Sequence, residues 1–172
     1  MSKLKDDLLP FLTKEEIKQI VKSLARQIEV DYQDREVIFI CPLRGSIHLT
    51  ADLMRELQLP QQVDFVHLQA VSKGGAIKII KDIGTNIAGK HVIVVEEIID
   101  TGRTLSFLMN RLRASSPASL KIVTMLDKPA RRELPIRADY IGRTIDDRYV
   151  VGYGMDSEQL GRNYPDIYFL KN

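Results

Sequence analysis

Three carboxylates, Glu96, Glu97 and Asp100, stand within five positions of one another in the segment VVEEIIDTGRTL (94–105). The turn residues TGRT (101–104) follow directly, and an apolar helical pattern begins at Leu105. Backbone N–H groups and hydroxyls at the start of a helix bind phosphate. Carboxylates accept hydrogen bonds from sugar hydroxyls and bind Mg²⁺ together with phosphate oxygens. The combination predicts a site for a ribose phosphate.

A solvent-exposed acidic turn that caps a helix is the alternative interpretation of this segment. One carboxylate is enough for a cap, whereas three are present. The segment also follows HVIVV (91–95), a continuously apolar run typical of a strand buried on both faces. Its place behind a central strand therefore favours a ligand site.

Strands and helices alternate along the rest of the chain. The capping-box spacing of Thr13 and Glu16, with apolar residues at helical intervals, predicts a first helix over 14–29. The other elements follow from periodicity and β-branched runs: helices over 47–57 and from 105, an antiparallel ribbon of 63–70 and 76–80, and strands at 37–41, 91–95, 120–126, 138–142, 149–154 and 166–170. We expect an α/β fold with a mostly parallel central sheet, forming a single domain over 1–172.

In such sheets ligands bind beyond the carboxyl ends of the strands. The loops 42–46, 96–104 and 127–132, with the stretch after Tyr149, are therefore the expected positions of functional residues. GTNIAGKH (84–91) superficially matches a phosphate-binding P-loop, but it leads into a strand instead of opening a helix, which favours a simple turn.

Composition and charge argue against several classes of protein. The formal net charge of +2 gives no reason to expect a nucleic-acid or membrane partner, and no stretch approaches transmembrane length. Charged residues interrupt the apolar N-terminus, so we expect no signal peptide. Cys41 is the only cysteine and ends an apolar run, which predicts a buried thiol and a cytoplasmic location. The three histidines share no metal-ligand spacing.

EEIIDTGRTL (96–105) closely resembles the phosphoribosyl-pyrophosphate motif of the type I phosphoribosyltransferases, above all that of their 6-oxopurine (hypoxanthine-guanine) branch. CPLRGSIHLTADLMREL (41–57) resembles the family's pyrophosphate loop and the helix after it. Further similar segments follow in the family's order: IKIIKD (77–82), MLDKPARR (125–132), YVVGYGMD (149–156) and GRN (161–163). The resemblance implies a type I phosphoribosyltransferase-like fold, with helices flanking the sheet and a small hood built from the chain termini.

The resemblance also implies an activity. A 5-phosphoribosyl group would pass from phosphoribosyl pyrophosphate to hypoxanthine and guanine, giving IMP or GMP and pyrophosphate, with Mg²⁺ as cofactor and a homodimer or homotetramer as the assembly. A xanthine-preferring enzyme remains open, because the exocyclic position of the base is recognised mainly by backbone groups. A nucleotide-sensing regulator on the same fold also remains open. Residues that match a general base (Asp100), a purine-binding lysine (Lys128) and a pyrophosphate-binding arginine (Arg162) together favour an enzyme over a regulator.

Residue by residue, the family's roles fall on matching positions. Asp100 matches the general base that handles the purine N7 proton. The other implied roles are ribose and metal binding by Glu96 and Glu97; 5-phosphate binding by Thr101, Gly102, Arg103 and Thr104; pyrophosphate binding by Leu43, Arg44, Gly45 and Arg162, assisted by Arg131 or Arg132; purine binding by Ile98, Lys128, Tyr149, Val150 and Asp156; and a second Mg²⁺ at Asp156.

Chemistry supports these roles independently. Positive charge on the ribose ring and negative charge on the departing pyrophosphate call for carboxylates near the sugar and for Arg with Mg²⁺ near the leaving group. The Lys128 ammonium can only donate hydrogen bonds, so it matches a 6-oxo group and disfavours the 6-amino group of adenine.

Three positions depart from the family's pattern. Arg44 stands where the family commonly has Lys, and Glu97 stands where it usually has Asp. AVSKGG (70–75) replaces a longer insert that contains Ser and Tyr. Closure of this short segment over the reaction is therefore the family property that the sequence supports least.

Overall fold

The computed structural model describes residues 7–71 and 76–171. Helices lie at Lys14–Asp31 (α1), Ile47–Glu56 (α2) and Arg103–Arg113 (α3), with a short 3₁₀ helix at Pro129–Arg131. The strands are β1 (Leu8–Leu12), β2 (Val37–Leu43), β3 (Gln61–Ala70), β4 (Ile77–Lys81), β5 (His91–Ile99), β6 (Ser119–Asp127), β7 (Tyr140–Thr144), β8 (Val150–Val151) and β9 (Ile167–Leu170). No helix in these two ranges is long and apolar enough to cross a membrane.

Six strands form the central sheet in the order β4-β3-β2-β5-β6-β7. All neighbouring pairs are parallel except β3 and β4, which pair antiparallel as the sequence predicts. Alternate side chains of a strand point to opposite faces, so Phe39 and Ile93 pack in the core that contains α1 and α2, whereas Ile38 and Val92 pack against α3. The α/β fold with a mostly parallel sheet is confirmed.

A second, three-stranded sheet has the order β1-β9-β8. Both of its pairings are antiparallel, and β1 joins β9 with Leu8 opposite Leu170. The small hood built from the chain termini is therefore confirmed. The pattern of the sequence did not predict β1, because Pro10 interrupts it and only pairing with β9 stabilises an edge strand of this kind.

Two predicted boundaries were wrong. β5 runs to Ile99 instead of ending at residue 95, because β6 continues alongside it and pairs with Glu96, Ile98 and Ile99. The first part of the expected 96–104 loop is thus strand. The candidate strand over 149–154 shrinks to the two residues of β8, since the chain turns at Gly152.

Asp64 of β3 supports the connection between β4 and β5. Its carboxylate accepts hydrogen bonds from the N–H groups of Gly84 (2.6 Å), Thr85 (2.8 Å) and Phe65 (2.7 Å), and from the Lys81 ammonium (3.2 Å). Burial alone would raise the pKa of Asp64, but these donors outweigh it and hold the pKa well below its ordinary value.

We expect Asp64→Asn to lower the free energy of unfolding at pH 7 by about 2 kcal/mol, because the amide NH₂ would face donors that now bind a charged acceptor. The folded pKa is depressed, so the stabilisation is present above the unfolded-state pKa of about 4 and is lost as pH falls through the folded value. Urea unfolding at several pH values measures this. The difference between wild type and variant should shrink below pH 4, and Asp34→Asn, at an exposed position, should show neither effect.

Candidate active site

A cavity of about 240 Å³ opens at the carboxyl ends of β2 and β5. It is lined by Pro42, Leu43, Leu68 and the continuous run of residues 96–105. The structure therefore gathers the whole predicted motif into one concave surface, at the edge of the sheet where parallel topology predicts a ligand.

The part of this cavity that the sequence predicts to bind phosphate is the start of α3. Gly102 has φ of +82°, a left-handed conformation that glycine adopts without strain, and it lets α3 begin at Arg103. A Cβ at residue 102 would also meet Ile136 and Arg132, so the absence of a side chain allows the segment 132–136 to pack behind the turn. The first N–H groups of a helix have no partner within it, and the residues that carry them here, from Arg103 to Leu105, line the cavity. This arrangement suits an anion.

The two glutamates form the polar end of β5. Glu96 is only 9% exposed, and burial raises its pKa well above the ordinary value, with the charge of Glu97 raising it further. Burial likewise raises the pKa of Glu97 to about 7, although the Arg162 guanidinium opposes this shift. Two adjacent buried carboxylates repel each other, so the site favours a ligand that brings positive charge or hydrogen-bond donors.

A magnesium ion fits this pair. Within residues 7–71 and 76–171, no group of three or more His, Cys, Asp and Glu side chains is arranged to hold a metal by protein ligands alone. Mg²⁺ is commonly bound through one or two carboxylates, with water and substrate phosphate completing its shell. Glu96 and Glu97 match that mode of binding.

Asp100 lies between β5 and α3, and two consecutive arginines hold it. Arg131 Nε–H donates to Asp100 Oδ1 at 3.0 Å. Arg132 donates to the backbone carbonyl of Asp100 and to the Asp127 carboxylate. Both guanidinium groups thus bind carboxylates, those of Asp100 and Asp127, whereas the family resemblance implied that Arg131 or Arg132 assists in binding pyrophosphate.

The predicted pyrophosphate residues meet in a neighbouring cavity of about 290 Å³. Leu43, Arg44 and Arg162 line it, together with His67, Gln69, Ile80 and Gln159. Leu43 lines both cavities, so the two are adjacent. Arg44 Nη1 donates to Gln159 Oε1 at 2.9 Å, and the Leu43–Arg44 peptide bond is cis.

Gly45 lies against Glu97 of the first cavity and directly follows Arg44 of the second. A Cβ at residue 45 would overlap the Glu97 carboxylate, and a Cβ at Gly154, where φ is +101°, would overlap the carbonyl of Gly45. Glu97, the turn at 43–45 and the turn at Gly154 therefore pack directly together. The longer Glu97, one of the departures from the family pattern, places its carboxylate against this turn.

The predicted purine-binding residues are less closely grouped. Ile98 lines the 240 Å³ cavity, whereas Lys128, Tyr149, Val150 and Asp156 do not. Lys128 is 5% exposed, and its backbone N–H donates to the carbonyl of Ile99 at 3.0 Å, which places it next to Ile99 at the end of the sheet. Val150 is buried in β8.

Tyr149 and Asp156 are linked on the hood side of the site. The Tyr149 hydroxyl donates to the carbonyl of Asp156 at 2.9 Å, while 54% of the tyrosine remains exposed. Asp156 Oδ1 lies 2.6 Å from Arg162 Nη2 and so pairs with a cation of the protein itself. Its assignment to a second Mg²⁺ stays a prediction.

Sequence reasoning missed His67, Gln69 and Gln159 as residues that line the site. His67 and Gln69 lie on β3 in the part that pairs with β4, and alternation along that strand was the one signal that pointed to them. Gln159 lies in an irregular turn with φ of +69°, which no periodicity predicts.

The short segment AVSKGG falls mostly outside the described residues. The N–H of Val71, inside the segment, donates to the carbonyl of Ala76, directly after it, at 2.9 Å.

Comparison with known proteins agrees with this geometry. The profile of the phosphoribosyl transferase domain matches residues 11–158. The hypoxanthine-guanine phosphoribosyltransferase of Staphylococcus aureus (strain Mu50 / ATCC 700699) is 40% identical over 164 residues, which are 93% of this chain and 92% of that protein.

Solved structures give the same result. The hypoxanthine-guanine phosphoribosyltransferase of Bacillus anthracis, with HEPES in its active site, has a TM-score of 0.92 at 40% identity over 94% of this chain and 98% of that one. A hypoxanthine phosphoribosyltransferase of Staphylococcus aureus in a tetragonal crystal has a TM-score of 0.95 at 39% identity over 99% and 95%. This chain belongs to the phosphoribosyl transferase family.

Proposed function

We propose that this protein is a hypoxanthine-guanine phosphoribosyltransferase of purine salvage. It transfers the 5-phosphoribosyl group of phosphoribosyl pyrophosphate to a 6-oxopurine and releases pyrophosphate. The observation that carries the proposal is one cavity that combines a helix N-terminus, a buried pair of carboxylates and Asp100. The relatives named above support the 6-oxopurine as the acceptor.

Each part of this surface then has a role. The backbone and hydroxyls of 101–104 bind the 5-phosphate, and Glu96 and Glu97 bind the ribose hydroxyls and the magnesium ion. Arg44 and Arg162 bind the pyrophosphate from the adjacent cavity. Lys128 donates to the 6-oxygen, with Ile98 and the exposed ring of Tyr149 on the two faces of the base and the backbone of Val150 at its edge.

Charge development explains the separation of acids from arginines. As the C1′–O bond breaks, the ribose ring becomes electron-poor, and the Glu96–Glu97 pair lies where negative charge stabilises it. The leaving pyrophosphate gains negative charge, which Arg44 and Arg162 offset. Bound Mg²⁺ supplies additional positive charge to the phosphate oxygens. Asp100 takes the N7 proton as N9 attacks C1′.

We also propose that the protein assembles as a homodimer or homotetramer and that it is located in the cytoplasm. The chain has a single cysteine, Cys41, which is free and buried, and the lack of an intramolecular disulfide is in keeping with a reducing compartment.

Formation of IMP tests the proposal. The protein is incubated with hypoxanthine, phosphoribosyl pyrophosphate and Mg²⁺, and IMP is quantified by chromatography. We expect turnover in the range usual for enzymes, about 1–10³ s⁻¹. A protein that binds phosphoribosyl pyrophosphate but forms no IMP from hypoxanthine and no GMP from guanine would contradict it.

A further inference from the structure

Arg131 connects three loops at the carboxyl edge of the sheet. It ends the 3₁₀ helix that follows Lys128, its Nε–H donates to Asp100 Oδ1 at 3.0 Å, and its Nη1 lies 3.6 Å from Asp147 Oδ2. Asp147 precedes Tyr149 by two residues. Arg131, which lies on the loop of Lys128, therefore contacts the loop of Asp100 and the loop that leads to Tyr149.

The two residues after Arg131 bind the same motif loop. Arg132 donates to the carbonyl of Asp100 and pairs with Asp127, and these two side chains are 13% and 11% exposed. Glu133 N–H donates to the carbonyl of Thr101 at 3.0 Å, and its carboxylate pairs with Arg103. The backbone from 100 to 103 is thus fixed independently of Arg131, whose contact reaches only the carboxylate of Asp100.

The contact of Arg131 is a poor candidate for a purely stabilising interaction. The Arg131 and Asp100 side chains are 46% and 44% exposed, and ion pairs this exposed contribute little to stability. The geometry of the contact instead determines which oxygen of the Asp100 carboxylate is bound. Arg131 binds Oδ1, so Oδ2 is the carboxylate oxygen that this contact does not use.

We propose that Arg131 is a positioning residue for Asp100, holding Oδ1 so that Oδ2 is presented to the N7 proton of the purine. The inference rests on the proposed function, because it assigns to Asp100 the role of base. Asp147 holds the other end of the guanidinium and so fixes the direction of the Nε–H bond. A guanidinium binds two carboxylates in fixed directions, whereas a lysine ammonium at this position cannot bind both in the same way.

Kinetics of Arg131→Gln and Arg131→Lys test the inference. We expect Arg131→Gln to lower kcat by about ten- to a hundredfold, because a misaligned base loses catalytic efficiency. The KM for phosphoribosyl pyrophosphate should stay within about twofold, since Arg131 lies outside both phosphate-binding cavities. Arg131→Lys should be intermediate. Arg111→Gln is the matched control, because it removes another partly exposed Arg–Asp pair, with Asp82, away from the site.

A double-mutant cycle separates positioning from structure. With Asp100→Asn as background, adding Arg131→Gln should lower the residual kcat by no more than about twofold, because there is no longer a base to position. An equal loss in both backgrounds, or an unchanged kcat in Arg131→Gln alone, would overturn the inference. If Asp100→Asn alone leaves kcat unchanged, the base assignment fails and the inference fails with it. If Asp100→Asn lowers kcat but Arg131→Gln leaves it unchanged, the inference fails while the assignment of Asp100 as the base stands.

Discussion

Asp100→Asn should lower kcat for IMP formation by about 10²- to 10⁴-fold, the range that general acid–base catalysis contributes. The amide has nearly the shape of the carboxylate but cannot accept the N7 proton. The surroundings of residue 100 should persist, because Arg132 binds the backbone carbonyl and Arg131 retains Asp147 as a partner. The loss should therefore fall on the chemical step and leave the fold unchanged.

Binding measurements provide the control for this variant. Isothermal titration with IMP should give a Kd within about tenfold of the wild-type value, since asparagine still offers an oxygen to its neighbours. Single-turnover kinetics should show the loss directly. A variant with unchanged kcat would refute the assignment of Asp100 as the base.

Lys128→Met should have the second largest effect, and it should act on specificity. Lys128 is 5% exposed, so its bond to the 6-oxygen forms away from water. A hydrogen bond from a charged donor contributes about 1.5–3 kcal/mol, so kcat/KM for hypoxanthine should fall by about 10- to 150-fold. Adenine should be a poor substrate in the wild type and should lose nothing further, so discrimination between the two bases narrows by the same factor.

Two further variants sharpen this test. Lys128→Gln provides a carbonyl that can accept from a 6-amino group, so adenine turnover should rise relative to Lys128→Met. Lys90→Met makes the same change at an exposed lysine at the opposite end of β5 and should leave both bases unaffected. An unchanged ratio of hypoxanthine to adenine in Lys128→Met would contradict the role of Lys128.

Local sequence patterns predicted most of the fold because they report burial directly. VIFIC and HVIVV lie in the centre of the sheet, and the capping box of Thr13 and Glu16 opens α1. The extension of β5 through Glu96 and Glu97 was not predictable from hydrophobicity, since polar residues continued the ladder only because β6 lies beside them. β1 likewise depends on a partner more than 150 residues away in the chain.

The candidate site likewise has a part that the local sequence located and a part that it did not. The motif at 96–104 lies in one stretch of sequence and was located from it, as its place around one cavity shows. Contacts between distant loops were not located: the bond of Arg44 to Gln159, the packing of Gly154 on Gly45, and the hold of Arg131 on Asp100. These depend on which loops the sheet order brings together. Residue spacing along the chain does not indicate which loops will be neighbours.

Pyrophosphate release in the presence of each purine base tests the central claim most directly. Phosphoribosyl pyrophosphate is supplied with hypoxanthine, guanine, xanthine or adenine, with Mg²⁺ and again with excess chelator. We expect rapid release with hypoxanthine and guanine, little with adenine, and none without Mg²⁺. Release that is fastest with adenine, or that is independent of the base added, would contradict the account.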